Sequence, residues 1–259
     1  MQKKYINDFL ITKKKYLSAD YFILDLTSFS ELPEIKPAQF VEVKVEGSPE
    51  TFLRRPISIH DIDRETNTIK LLIRIVGKGT QKLSELKKGD YLNLIYPLGN
   101  SFSIPKNGDK KVLLVGGGCG TAPLLYTARY FSQAGFKVTS LLGFSDKENI
   151  IAKKSFNEFG ELLLTTEDGS EGECGNVLQH SVFNKPEFQY QKIYSCGPEP
   201  MLKNLAAWSL SNNVECEVSL ENMMACGFGA CLCCVQKTKS GNKCVCVDGP
   251  VFNVNDIVW

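Results

Sequence analysis

Residues 111–125 read KVLLVGGGCGTAPLL. A short apolar run ends in Gly116, Gly117, Gly118 and Gly120, and Pro123 follows where a helical pattern begins. That order predicts a buried strand, a tight turn and a helix, because proline suits a first helical turn, where its missing N–H costs nothing. Such a turn lets the backbone approach a pyrophosphate while the helix N-terminus favours the anion. Gly116, Gly118 and Gly120 are the candidate contacts. Their spacing is G-x-G-x-G and not the dinucleotide fingerprint G-x-G-x-x-G, so a tight turn without a ligand stays open on these residues alone.

Working outward, the same alternation repeats downstream. FKVTSLLGF from Phe136, ELLLTT from Glu161, QKIYSCG from Gln191 and VECEVSL from Val214 are strand candidates, separated by helical patterns such as APLLYTARYFSQAG and PEPMLKNLAAWSLSN. Strands alternating with amphipathic helices predict an α/β parallel sheet, doubly wound, over residues 110–219. The loop Leu142–Lys147 carries no arginine fork, which favours NAD over NADP. In YSCGPEPML, Cys196 is expected at a strand C-terminus, where ligands of open α/β sheets bind, and an ordinary buried thiol is the competing reading.

Upstream, residues 1–105 alternate β-rich runs with turn residues: YFILDLT from Tyr21, FVEVKVE from Phe40, TIKLLIRIV from Thr68 and YLNLIYPLG from Tyr91. These predict an N-terminal antiparallel β-barrel, with FVEVKVE half-buried and Lys13–Lys15 a solvated strand edge or hairpin tip. The turn-rich PKNGDK is expected to separate barrel from sheet. In FLRRPISIH, Arg55 suits a phosphate and Ser58 a flavin ring, against the alternative of a surface arginine pair.

The remaining 220–259 are short and cysteine-rich, too small to stand without a staple. Six of the ten cysteines fall in ACGFGACLCCVQKTKSGNKCVCVDGPVF. Cys226, Cys231 and Cys234 have the C-x4-C-x2-C spacing of a plant-type iron–sulfur site, with Cys246 as the fourth ligand. Cys233 and Cys244 compete for ligand roles. A structural zinc site and buried free thiols are the alternatives that the spacing leaves open.

Composition narrows the classes. At about 150 residues per domain, 259 residues suggest roughly two domains with a real core. A formal charge of +1 leaves no footprint for nucleic acid. No apolar run approaches the ~18 residues of a membrane span, and MQKKYINDFL lacks a signal-peptide core, so a cytoplasmic location and reduced thiols are expected.

Taken together the motifs resemble a known family. RPIS, then Leu72-Ile73-Arg74, then Gly79-Thr80 resemble the FAD site of the ferredoxin-reductase superfamily, and GGGCGTAP and CGPEPML resemble its pyridine-nucleotide motifs. CGFGAC-x2-C followed by CVDGPVF is similar to one branch, the electron-transfer subunits of heteromeric, NAD-linked bacterial dihydroorotate dehydrogenases. The resemblance runs end to end. It implies FAD contacts from Arg55, Pro56, Ile57, Ser58, Leu72, Ile73, Arg74, Gly79 and Thr80. It implies a 2Fe-2S cluster on Cys226, Cys231, Cys234 and Cys246, the last standing two residues before the Asp of DGPVF. Ile57 replaces the Tyr of many superfamily members, so no tyrosine ring is expected on the flavin. The family relay runs from an FMN-containing catalytic subunit through cluster and FAD to NAD+, in a heterotetramer of two of each chain. Cys196 is expected near the nicotinamide. A flavin/iron–sulfur reductase serving sulfide, ferredoxin or hydrogenase chemistry, and a zinc-stapled nucleotide-binding regulatory module, are the competing functions.

Overall fold

The computed structural model describes residues 3–105, 110–185 and 187–259, so most of the turn-rich PKNGDK lies outside the described residues. Six strands close an antiparallel barrel: β1 (Tyr5–Tyr16), β2 (Tyr21–Thr27), β3 (Phe40–Val43), β4 (Arg55–Asp63), β5 (Thr68–Arg74) and β6 (Tyr91–Leu98), in the order β1-β2-β5-β4-β3-β6. Inward-facing Phe9, Phe22, Leu24, Leu71, Leu94 and Tyr96 fill it. Each such side chain contributes roughly 1.5–3 kcal/mol of apolar burial. A short helix, α1 (Lys78–Leu83), follows β5.

One reading of this region stands and another changes. Lys13–Lys15 pair with β2 alone, past the last residue paired with β6 and beside the β1–β2 turn, with Lys13 and Lys15 exposed, while the Lys14 ammonium donates to the carbonyls of Ser84 and Leu86. All four residues of β3 are buried, including Glu42. The alternating pattern predicts one face in water, but the cysteine loop covers the outer face. A Cβ at Gly227 would meet Glu42 Cγ at 2.6 Å.

The second body is a seven-stranded sheet built from β7 (Lys111–Gly117), β8 (Lys137–Phe144), β9 (Glu161–Thr166), β10 (Glu173–Cys174), β11 (Lys192–Cys196), β12 (Glu215–Ser219) and β15 (Val251–Asn253). Its order is β10-β9-β8-β7-β11-β12-β15, and every pair is parallel except β12 with β15. Helices α2 (Ala122–Gln133), α3 (Lys153–Asn157) and α4 (Glu199–Ser211) connect it. Pro123 lies in the first turn of α2, and Gly135 (φ +84°) ends it in the left-handed conformation that glycine adopts without strain.

The C-terminal stretch contributes a hairpin, β13 (Val235–Thr238) and β14 (Gly241–Cys244), before β15. Packing holds it in place: β15 joins the seven-stranded sheet, and Cys234, Val245 and Cys246 share a core with Leu113, Val115 and Leu202. Asn100, just past β6, fastens the same tail to the barrel. It exchanges hydrogen bonds with Val251 and donates to the carbonyls of Asp248 and Gly249. Among the described residues no helix is long and apolar enough to cross a membrane.

Candidate functional site

Two clefts open where barrel meets sheet. The first, about 400 Å³, is lined by Arg55, Pro56, Ile57 and Ser58 of β4, Leu72 and Arg74 of β5, and Thr80. Seven of the nine residues singled out for FAD therefore meet in one wall. The other two do not line it. Ile73 points the opposite way along β5 into the barrel core, because strand side chains alternate with period two. Gly79 sits behind the wall, and a Cβ there would meet Arg55 Nε at 2.8 Å, so the glycine leaves room for the guanidinium. The Thr80 hydroxyl accepts from the N–H groups of Val76 and Gly77, which fixes the turn before α1.

The second cleft, about 500 Å³, runs along the C-terminal ends of β7, β8 and β9 and is lined by Gly117, Gly118, Phe144, Ser145, Glu167 and Asn176, with Pro198 and Met201 of the CGPEPM turn. Arg74 lines both clefts. Of the candidate glycines, Gly118 (φ +52°) faces this space, whereas Gly116 and Gly120 are packing positions. A Cβ at Gly116 would meet Leu124 at 2.8 Å, and one at Gly120 would strike the Cys196 carbonyl oxygen and Gly197 Cα at 2.4 Å. Gly120 thus allows the two turns to touch.

Cys196 ends β11, at the strand C-terminus expected of it. It is fully buried behind the first cleft, with its thiol 3.6 Å from Glu221 Oε1, and burial drives its pKa well up. The thiol that reaches the cleft is Cys119, pushed up to about 12, chiefly by burial. Neither is a thiolate near neutral pH. Glu221 projects into the same cleft, open to solvent yet surrounded by protein atoms, and this desolvation raises its carboxyl pKa. Cys119, Glu221, Tyr21 and Glu167 are wall residues that the motifs did not mark; only their neighbours in the chain did.

From Ser219 to Met224 the chain forms part of the first cleft and then enters the cysteine loop. Gly227 (φ +73°) and Gly229 (φ +87°) give that loop its left-handed turns against Glu42 and Val247. The four expected ligands come together as two pairs. Cys226 and Cys231 share a thiol hydrogen bond, as do Cys234 and Cys246. Backbone N–H groups point at sulfur, Ala230 at Cys226 (3.3 Å) and Cys246 at Cys234 (3.4 Å). Burial opposes ionisation of Cys226, yet the Phe228 and Cys231 N–H groups prevail and bring it down to about 6. Cys246 is pushed up to about 12 by burial and by its bond to Cys234.

Among the described residues no three Cys, His, Asp or Glu side chains converge on one point, as a single zinc ion requires. Two thiol pairs fit a two-iron cluster, with two thiolates for each metal. Cys233 is exposed, and Cys244 opens a turn in which its N–H donates to Asp248 Oδ2 at 2.8 Å.

Beside this loop Glu42 is an oddity. Among the described residues neither of its buried oxygens meets a hydrogen-bond donor, and desolvation raises its pKa to about 7 despite the nearby Arg54.

Comparison with known proteins places these features. Residues 221–258 match the model described as the iron–sulfur cluster binding domain of dihydroorotate dehydrogenase B, and residues 8–102 match an oxidoreductase FAD-binding domain. Several relatives carry the name dihydroorotate dehydrogenase B (NAD(+)), electron transfer subunit. The protein from Caldanaerobacter subterraneus is 42% identical over 86% of this chain and 87% of its own. That from Shouchella clausii is 37% identical over 96% of each. A solved structure of an NADH-dependent reduced ferredoxin-NADP oxidoreductase, described for flavin-based electron bifurcation, is 30% identical and covers 97% of this chain and 90% of its own, with a TM-score of 0.86.

Proposed function

We propose a function from one premise: the chain belongs to the family of electron transfer subunits of NAD(+)-linked dihydroorotate dehydrogenase B. It is an oxidoreductase subunit with FAD-binding and iron–sulfur domains, it works with a catalytic subunit, and NAD is the electron acceptor. The finer reading is that the partner holds FMN and oxidises dihydroorotate, and that two copies of each chain assemble in the cytoplasm. Residues 1–105 form the FAD domain, 110–219 the NAD domain and 220–259 the cluster module.

The observation that carries this assignment is the shared Arg74 wall between the two clefts, with the paired cysteines one short segment away. When bound, FAD exchanges one or two electrons and the cluster exchanges one, which joins single-electron supply to hydride delivery. The chain's own residues bind and orient. The Arg55 guanidinium, held by Gly79, takes a flavin phosphate, and Ser58 and Thr80 border the ring. Ile57, Leu72 and Pro56 give that cleft apolar walls that exclude water. Gly118 and the N-terminus of α2 receive the dinucleotide pyrophosphate, while Gly116 and Gly120 keep the turn tight enough to do so. Cys196, set behind Cys119, supports the nicotinamide end without touching it. Cys226, Cys231, Cys234 and Cys246 hold the cluster. Nothing in this chain is needed as a general base.

The likeness to the ferredoxin-NADP oxidoreductase structure supports a second reading, a flavin/iron–sulfur reductase subunit serving a different donor. One experiment separates them. The anaerobically purified chain is mixed with the FMN-containing dihydroorotate dehydrogenase subunit of the same host, and NADH is followed after dihydroorotate is added. NADH formation that needs both chains supports the first reading. Dye reduction by NADH without dihydroorotate-driven NADH formation moves the assignment to the second.

A further inference from the structure

Three carboxylates crowd the ends of β8 and β9, and they are not equivalent. Asp146 is committed to its own turn, accepting from Ser145 Oγ at 2.9 Å and from Asn149 N and Nδ2 at 3.1 and 2.8 Å. Asp168 likewise accepts from Ser170 N at 2.9 Å and Oγ at 2.6 Å. Glu167, among the described residues, has no hydrogen-bond or ion-pair partner for its side chain, and it alone of the three lines the second cleft.

Its place follows from the sheet. The glycine turn ends β7, and β8 lies between β7 and β9, so Glu167 stands two strand spacings, roughly 10 Å, from the turn. Arg74, the contact with the flavin cleft, is the sole cation among the described residues lining the second cleft, and it does not belong to this end. A dinucleotide with its pyrophosphate at Gly117–Gly118 and its nicotinamide toward Arg74 brings its adenosine half beside Ser145, Asn176 and Glu167. A free carboxylate there accepts a hydrogen bond from a ribose 2′-hydroxyl and repels a 2′-phosphate, which no lysine or arginine in that wall offsets.

We propose that Glu167 is the residue by which this chain selects an unphosphorylated adenosine ribose and rejects the 2′-phosphorylated dinucleotide. The inference rests on the reading of the second cleft as the NAD site. It goes further by assigning the discrimination to one side chain outside the glycine motifs.

The test uses the FAD- and cluster-loaded chain and two readouts. One is kcat/KM for NADH and for NADPH with an artificial dye. The other is calorimetric binding of 5′-AMP and of its 2′-phosphorylated counterpart. Wild type is expected to prefer NADH. Glu167→Gln weakens that preference, and Glu167→Lys shifts the NADPH/NADH ratio by on the order of tenfold or more, with the same direction in the AMP pair. Asp168→Asn, whose carboxylate is already bonded to Ser170, leaves the ratio in place. Glu167 variants that bind and oxidise NADH but keep the wild-type ratio within about twofold would overturn the proposal while leaving the cleft assignment intact. So would a wild type that does not discriminate. If neither dinucleotide reduces the wild-type flavin and neither adenosine nucleotide binds, the cleft reading itself falls.

Discussion

Lys192→Met is the sharpest test of how barrel and sheet are joined. Lys192 opens β11 at 1% exposure, and its ammonium donates to Ser103 Oγ (2.8 Å), Glu215 Oε1 (2.5 Å) and Glu217 Oε1 (2.8 Å). Glu217 in turn accepts from the N–H and hydroxyl of Ser103, in the segment that leaves the barrel. Methionine fills the volume of the stem but strands a buried carboxylate without its counter-charge. One-sided loss of a buried pair costs about 3–5 kcal/mol. Glu217 keeps its two bonds from Ser103, so the expected loss is about 3 kcal/mol, and the half-exposed Glu215 adds less than about 1 kcal/mol. In Lys192→Met/Glu217→Gln the stranded charge is gone while an amide oxygen still accepts from Ser103, and the loss should shrink to about 1 kcal/mol. Urea unfolding of the loaded protein, followed by tryptophan fluorescence and by flavin release, gives both numbers. A single variant within about 0.5 kcal/mol of wild type, or a double variant no better than the single, would refute the reasoning.

Other outcomes follow from the same structure. Asn100→Ala removes the acceptor for the Val251 N–H and the donors to the DGPVF turn, and should cost about 2 kcal/mol and speed cluster loss, seen as bleaching of visible absorption in air. Cys246→Ser should lower iron content and change the visible spectrum, whereas Cys233→Ser should retain the full iron complement by colorimetric assay. Gly120→Ala drives a methyl into the Cys196–Gly197 backbone, and flavin reduction by NADH should slow by about tenfold or more while FAD and cluster spectra persist. Burial holds the His60 pKa below its ordinary 6.5 even though its ring donates to the Ala122 carbonyl at 2.8 Å. The unfolded chain therefore takes up a proton below about pH 6.5 that the folded chain refuses, and stability falls as pH drops through that point. Thermal unfolding of His60→Gln across that range should show a shallower acid limb.

The barrel, the sheet and the order of modules are legible in the sequence because strand periodicity, glycine turns and cysteine spacing are local signals. What stays hidden depends on segments that meet only after folding. Ile73 shares a motif with Leu72 and Arg74, but the barrel's closure turns it inward. Gly116 and Gly120 look like phosphate contacts until the Cys196–Gly197 turn is placed against Gly120. Glu42 reads as the polar half of an alternating strand, and only the cysteine loop, more than 180 residues on, covers it. Glu221 lies in no motif; it reaches the first cleft because β12 ends there. Lys192 gives no hint of burial, since the partners that neutralise it lie on another strand and in the segment after the barrel.

The placement of β15 bears on how the molecule is made. A chain emerging from the ribosome presents the strands of the parallel sheet in order, but the strand that covers β12 follows the last cysteine and arrives after every other strand. Until then the edge of β12 over Glu217–Ser219 remains without its antiparallel partner. Pairing of that sheet edge is therefore the last strand pairing the emerging chain can make. A nascent chain halted before Val251 would display an adhesive strand edge to the chaperones around it.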